Sequence, residues 1–154
     1  MILAQEFLYT EFDWRVGILN KKPIYASQYF MSKKHWQIVE YGADGKITEG
    51  DYKTVPIEQA PEKVVKIALK AANLIGNGLY GVDVKQSDRG VFVIEVNDNP
   101  SIESKVEDAV LKEGLYDLIM AEFLRRMELR HGRKDSTQAS ESMKASLLSR
   151  SSCR

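Results

Sequence analysis

Asp83, Glu95 and Asn97 are the residues of this chain whose types and spacing best suit a metal ion. Asp83 interrupts an otherwise apolar run, Leu-Tyr-Gly-Val-Asp-Val at 79–84. Glu95 and Asn97 belong to Ile-Glu-Val-Asn-Asp-Asn-Pro-Ser at 94–101, and two positions apart on a strand they share one face. If the two runs pair as a hairpin, Asp83 lies opposite them, and two carboxylates meet an amide oxygen. Carboxylates held that close repel, or one raises its pKa, unless a cation joins them. A few oxygen ligands with room for water and phosphate suit magnesium better than a full calcium cage. The plainer alternative is that both acids face solvent and Asn97-Asp98-Asn99-Pro100 is a turn.

A second constellation is Glu11-Phe12-Asp13-Trp14-Arg15. Asp13 and Arg15 share a strand face, one an acceptor for hydroxyls, the other a planar donor for phosphate or carboxylate. The same two residues would also make an ordinary surface ion pair, of small energetic value. Lys33-Lys34-His35-Trp36 offers phosphate contacts or a solvated basic turn. The two histidines, His35 and His131, are far apart in sequence, and no Ser/His/Asp or Cys/His arrangement supports nucleophilic hydrolysis.

These residues need elements to position them. Residues 2–9 are apolar and aromatic and read as a buried strand. Residues 14–19 read as a second, with Asn20-Lys21-Lys22-Pro23 turning into a third at 24–30. Connections this short make the strands antiparallel. Residues 31–52, with Gly42, Asp44-Gly45 and Gly50, read as loop with at most a short strand. Pro61 opens a helix that Gly76 closes, with Val64, Val65, Ala68, Leu69, Ala72 and Ile75 forming its apolar face. Strands at 79–84 and 91–96 flank the turn Gln86-Ser87-Asp88-Arg89-Gly90, and a last helix covers 116–128. The class is α+β, an antiparallel sheet with helices on it.

The chain has 154 residues, enough for one ordinary domain. Twenty-two basic residues balance twenty-two acidic ones, so no net field favours nucleic acid or an anionic membrane. No apolar run is long enough to span a bilayer, and the N-terminus lacks the basic region and cleavage site of a signal peptide. The single cysteine, Cys153, has no internal partner, which suits a reducing cytoplasm. Seven of the last 24 residues are serine and none is aromatic, so 131–154 reads as a disordered tail on an ordered part at 1–130.

Taken in order, Gln-Glu-Phe-Leu at 5–8, Asp-Trp-Arg at 13–15, strand, loop, helix, Gly-Leu-Tyr-Gly-Val-Asp-Val-Lys at 78–85 and Ile-Glu-Val-Asn-Asp-Asn-Pro-Ser at 94–101 resemble the C-terminal half of an ATP-grasp ligase. The branch most resembled is the RimK-like one, relatives of the ribosomal-protein glutamate ligases and glutathione synthase. The resemblance covers roughly residues 2–128. Its most specific element is Asp83 with Glu95 and Asn97, the acids 12 positions apart.

The resemblance implies an enzyme that couples a carboxylate to an amine through an acyl phosphate, using ATP with magnesium or manganese. Gln5, Glu6, Phe7 and Leu8 match the hinge that holds the adenine edge, and Asp13 matches an acid beside the nucleotide. Arg15 matches a catalytic arginine facing the phosphates, and Asp83, Glu95 and Asn97 match the metal ligands. It implies three further partners: a carboxylate substrate, an amine acceptor that is a small molecule or a peptide, and an N-terminal lobe absent before Met1. Relatives are often homo-oligomers. Where short RimK-like enzymes carry basic residues after the third strand, this chain has Gln28-Tyr29-Phe30, a departure that bears on the usual acidic acceptor. The alternatives are a non-catalytic nucleotide- or metal-binding module, a truncated copy, or a protein-interaction domain.

Overall fold

The computed structural model describes residues 6–31, 39–41, 47–49 and 51–151, with side chains over 6–31 and 51–132. The chain forms two units, 1–115 and 116–154. The elements of the first, in chain order, are β1 (Phe12–Leu19), β2 (Lys22–Phe30), β3 (Val39–Tyr41), β4 (Ile47–Glu49), β5 (Tyr52–Val55), a 3-10 turn at Ile57–Gln59, α1 (Glu62–Ile75), β6 (Leu79–Ser87) and β7 (Gly90–Asn97). Five strands build one antiparallel sheet in the order β5-β2-β1-β6-β7, while β3 pairs with β4 in a separate hairpin. The α+β class, the antiparallel sheet and the hairpin formed by the second and third expected strands are as the sequence implies.

The β1–β2 turn consists of Asn20 and Lys21, both left-handed at φ 47° and 64°. A two-residue turn of that hand matches the right-handed twist of the strands it joins, and asparagine tolerates it better than most residues. Strand alternation then sends Trp14, Val16 and Ile18 of β1, with Val82 and Val84 of β6, to one face. Helix α1 lies on that face, across β7, β6 and β1. Val64, Ala68 and Ala72 recur every four residues along its buried stripe, and all three are fully buried. Two alanines in that stripe let the helix backbone approach the sheet closely.

The first strand differs from the sequence reading. Residues 6–10 have no regular structure, and the rest of the 2–9 run lies outside the described residues. Strand β1 already has β2 and β6 as neighbours, so the sheet offers that segment no partner beside it. Strand β5, at the boundary of the expected loop, is an edge strand of four residues, too short for its periodicity to stand out. Lys33, Lys34, His35 and Trp36 lie outside the described residues.

The second unit is helical. Helix α2 (Glu113–Ser151) keeps a helical backbone through most of the stretch that the sequence reads as a tail. No proline interrupts 113–151, so nothing in the local backbone forbids the helix even without a packed face. Within it, Arg125 and Arg126 both bond Glu122 and hold its carboxyl down at about 2. Among the described residues no helix is long and apolar enough to cross a membrane.

Candidate functional site

With α1 on one face, the alternate residues of every strand point to the other. Register aligns Thr54, Ser27, Arg15, Asp83 and Glu95 in one row across all five strands. A parallel row places Tyr25 opposite Gly17, Gly17 opposite Gly81, and Gly81 opposite Asn97. Asp83 and Glu95 are therefore register partners, as the hairpin reading requires, with Asn97 on the adjacent row.

A bulge makes this possible. The register slips between Asp83 and Val84, leaving Ile94 as the extra residue on β7. Val91, Val93 and Val96 pack on the core, a spacing of two and then three. One inserted residue thus changes the phase of the strand and turns Phe92, Glu95 and Asn97 to the same open face.

The charges pair across strands rather than along them. Arg15 donates from Nε and Nη2 to the two Asp83 oxygens at 2.8 and 2.9 Å, a side-on fork. Asp13 accepts from Lys85 Nζ and from the Thr10 hydroxyl, both at 2.6 Å and both on Oδ1. The ion pair that the sequence allows between Asp13 and Arg15 is thus replaced by two others. Register partners on adjacent strands have Cβ atoms about 5 Å apart, closer than residues two positions along one strand, about 6.6 Å. The carboxylate fork raises the pKa of Arg15 against the opposing effect of its burial.

Lys85 is a site residue that the sequence reading passed over. It follows Asp83 by two positions on the same strand face, so the period that placed Asp83 would have placed it too.

The segment after β7 folds back over part of the open face. Pro100 sits on Gly81, where an added Cβ would lie 2.9 Å from the proline ring. Tyr25 sits likewise on Gly17, where a Cβ would come within 2.2 Å of its ring. Thr54 donates to the Val106 carbonyl at 2.6 Å, which leaves Ser27 as the donor in the 2.7 Å contact between the two hydroxyls. The Tyr29 hydroxyl donates to Glu107 Oε1. These ties cover the β5–β2 side of the face and leave Arg15, Asp83, Lys85 and Glu95 toward the β6–β7 side.

Beside them lies an open cleft of about 240 Å³ lined by Glu6, Leu8, Arg89, Phe92 and Ile94. Arg89 pairs with Glu6 at 2.8 Å and holds its carboxyl below the usual range. Of the residues assigned to a hinge, Glu6 and Leu8 line this cleft, Phe7 is exposed, and Gln5 lies outside the described residues. Its polar rim and apolar wall match the edge and face of a flat heterocycle.

The donor chemistry of Asp83, Glu95 and Asn97 fits a hard cation. All three offer oxygen, and Glu95 is exposed. Asn97 Oδ1 accepts the Asn99 N–H at 2.8 Å, which fixes the amide and still leaves a lone pair. Among the described residues no three His, Cys, Asp or Glu side chains gather at metal-binding distance. The protein would therefore supply two acids and an amide, leaving the other positions to water and phosphate.

Residues 49–112, which include α1, β6, β7 and the covering segment, match the RimK-like ATP-grasp domain. A probable alpha-L-glutamate ligase of Aliivibrio salmonicida (strain LFI1238) is 46% identical over 48 residues, 31% of this chain and 16% of that protein. One of Xanthomonas axonopodis pv. citri (strain 306) is 34% identical over 62 residues, 36% of this chain and 21% of that protein. The chain thus matches about a fifth or less of these relatives' length.

Among solved structures, D-alanine–D-alanine ligase from Bacillus anthracis superposes with a TM-score of 0.56 at 19% identity, covering 81% of this chain and 44% of the ligase. The ATP-grasp ligase PsnB, complexed with a phosphomimetic variant of its minimal precursor, Mg and ADP, gives 0.51 at 22%, covering 75% of this chain and 34% of PsnB. At these identities the likeness is one of fold. The chain thus shares the fold of these ATP-grasp ligases, and over residues 49–112 it is similar in sequence to the RimK-like ATP-grasp domain.

Proposed function

We propose that this chain supplies the magnesium–nucleotide half of an ATP-dependent ligase that joins a carboxylate to an amine through an acyl phosphate. The observation that carries the reading is the register of Arg15, Asp83 and Glu95 on three neighbouring strands, beside a cleft walled by Phe92 and Ile94. The adenine ring fits that cleft, with its edge toward the backbone of 6–8. Its phosphates then run toward Asp83, Glu95 and Asn97. Magnesium, held by those three residues, would neutralise the phosphate oxygens and orient the terminal group.

Arg15 does the rest of the electrostatic work. A guanidinium has five N–H donors, and the fork to Asp83 uses two of them. The remaining three are available to the anionic oxygens of the phosphoryl group as it passes from ATP to the carboxylate, with ADP as the leaving group. Asp13, held by Lys85 and Thr10, lies one position beyond the Arg15 row and faces the ribose side of the nucleotide. The family match, the PsnB complex with Mg and ADP and the oxygen-only donor set support this arrangement. The acid and amine are held jointly with the lobe that completes an ATP-grasp site, and the lone cysteine suits work in the cytoplasm.

Calorimetric titration of the full chain with ATP tests the reading. Saturable binding that requires magnesium, and that weakens at least tenfold in the Asp83→Asn/Glu95→Gln double variant, is the expected result. Binding unaffected by that change, or independent of magnesium, sinks it. Binding without turnover when the complementary lobe is added would point to a non-catalytic nucleotide module.

A further inference from the structure

Glu107 is 1% exposed, and no lysine or arginine pairs with it among the described residues. Its two oxygens accept the Tyr29 hydroxyl and, at 2.8 Å, the backbone N–H of Glu103. A buried carboxylate without a cation is a costly way to fasten a loop, for which a neutral side chain would serve. The loop already has such a fastening one residue away, in the bond from Thr54 to the Val106 carbonyl.

What distinguishes Glu107 is the ring that its partner carries. The Arg15 guanidinium lies 5.0 Å from the centroid of Tyr29. A phenol that donates to a carboxylate is enriched in electrons, and a richer ring attracts a cation more strongly. The fork to Asp83 fixes Arg15 within its plane; the ring fixes the face of that plane; Glu107 fixes the ring. Each contact leaves one motion free that the next removes.

We infer that Glu107 is a positioning residue for Arg15, acting through Tyr29, and that it sets the direction in which the guanidinium presents its free N–H groups to an oxyanion. The phosphate-facing role of Arg15 rests on the function proposed above, whereas its positioning by Glu107 is a property of the chain alone. Gln28-Tyr29-Phe30 thereby acquires a use. In place of a basic residue that could contact an acceptor, position 29 carries a platform for the arginine.

The test is the Nε–H resonance of Arg15 in the full chain labelled with ¹⁵N-arginine, assigned by its loss in Arg15→Lys. Tyr29→Phe keeps the ring and removes the hydroxyl; Glu107→Gln keeps the shape and removes the charge. Thr54→Val loosens the covering segment without touching Tyr29. The expected result is that both Tyr29→Phe and Glu107→Gln speed solvent exchange of the Arg15 Nε–H at least threefold, while Thr54→Val leaves it within twofold. Exchange unchanged in Tyr29→Phe overturns the inference, as does an equal change in Thr54→Val. Should Glu107→Gln fail to fold, the Tyr29→Phe and Thr54→Val comparison still decides. Adding magnesium and ATP to the unsubstituted chain separates the two claims. An Arg15 resonance that ignores the nucleotide counts against the proposed function and leaves the positioning result standing.

Discussion

Arg15 and Asp83 face each other across β1 and β6 and are joined by two hydrogen bonds, from Nε at 2.8 Å and from Nη2 at 2.9 Å. The carboxylate proposed as a metal ligand is thus already matched to a cation of the chain itself. The pair is about a quarter exposed, so solvent screening limits what it adds to stability. Its greater consequence is directional, because a fork holds an arginine in one plane and a point charge does not.

Arg15→Lys is expected to fold with a loss of about 1 kcal/mol or less, since the charge is kept and only the second bond is lost. Under the proposed function it should weaken magnesium–ATP binding by about tenfold or more, because an ammonium has three donors to the guanidinium's five and no planar fork to aim them at phosphate. Urea denaturation and calorimetry on one preparation separate the two quantities. A stability loss of several kcal/mol with unchanged binding would make the pair structural.

Gly17 gives a second, purely structural test. A Cβ there would lie 2.2 Å from Tyr25, whose ring is buried against the strand with little room to move. Gly17→Ala is expected to cost about 1–3 kcal/mol through overpacking, read as a lower denaturation midpoint. Combining it with Tyr25→Ala should recover most of the added cost, because the three atoms nearest the new methyl all belong to that ring. If Gly17→Ala is neutral, the Tyr25 ring does not lie on that strand.

Much of this arrangement was legible in the residues, and the parts that were not share a cause. The α1 stripe of Val64, Ala68 and Ala72, the turn at Asn20-Lys21 and the shared face of Glu95 and Asn97 are all legible within one element or one hairpin. The pairing of β1 with β6 joins segments about 70 residues apart, and local spacing carries no record of it. Arg15 was therefore read with Asp13, its neighbour in the chain, and not with Asp83. The bulge at Ile94 was hidden because every residue of 91–94 is apolar, so a slip in phase leaves no mark on the pattern. Glu107 is one of three acids within residues 103–108, and nothing in its spacing sets it apart. Its burial depends on Tyr29, which no rule of sequence spacing connects to it.

The tyrosines of the covered face set the behaviour at alkaline pH. Burial raises the phenol of Tyr25, with Glu107 adding to it. Burial also raises that of Tyr29, reinforced by its bond to Glu107. In the unfolded chain both ionise near 10. Between that value and the higher folded values the folded chain holds more protons than the unfolded one, so its stability falls as pH rises. Below about 10 both phenols are neutral in either state and the contribution is fully present. Above it each phenol costs up to about 1.4 kcal/mol per pH unit until the folded state also ionises. Urea midpoints taken from pH 9 to 11.5 should therefore drop steeply from about 10. The Tyr25→Phe/Tyr29→Phe double variant should show a shallower decline, because it lacks the two phenols that burial raises. An identical decline in that variant would mean that the two phenols are open to solvent, and with them the face on which Arg15 is held.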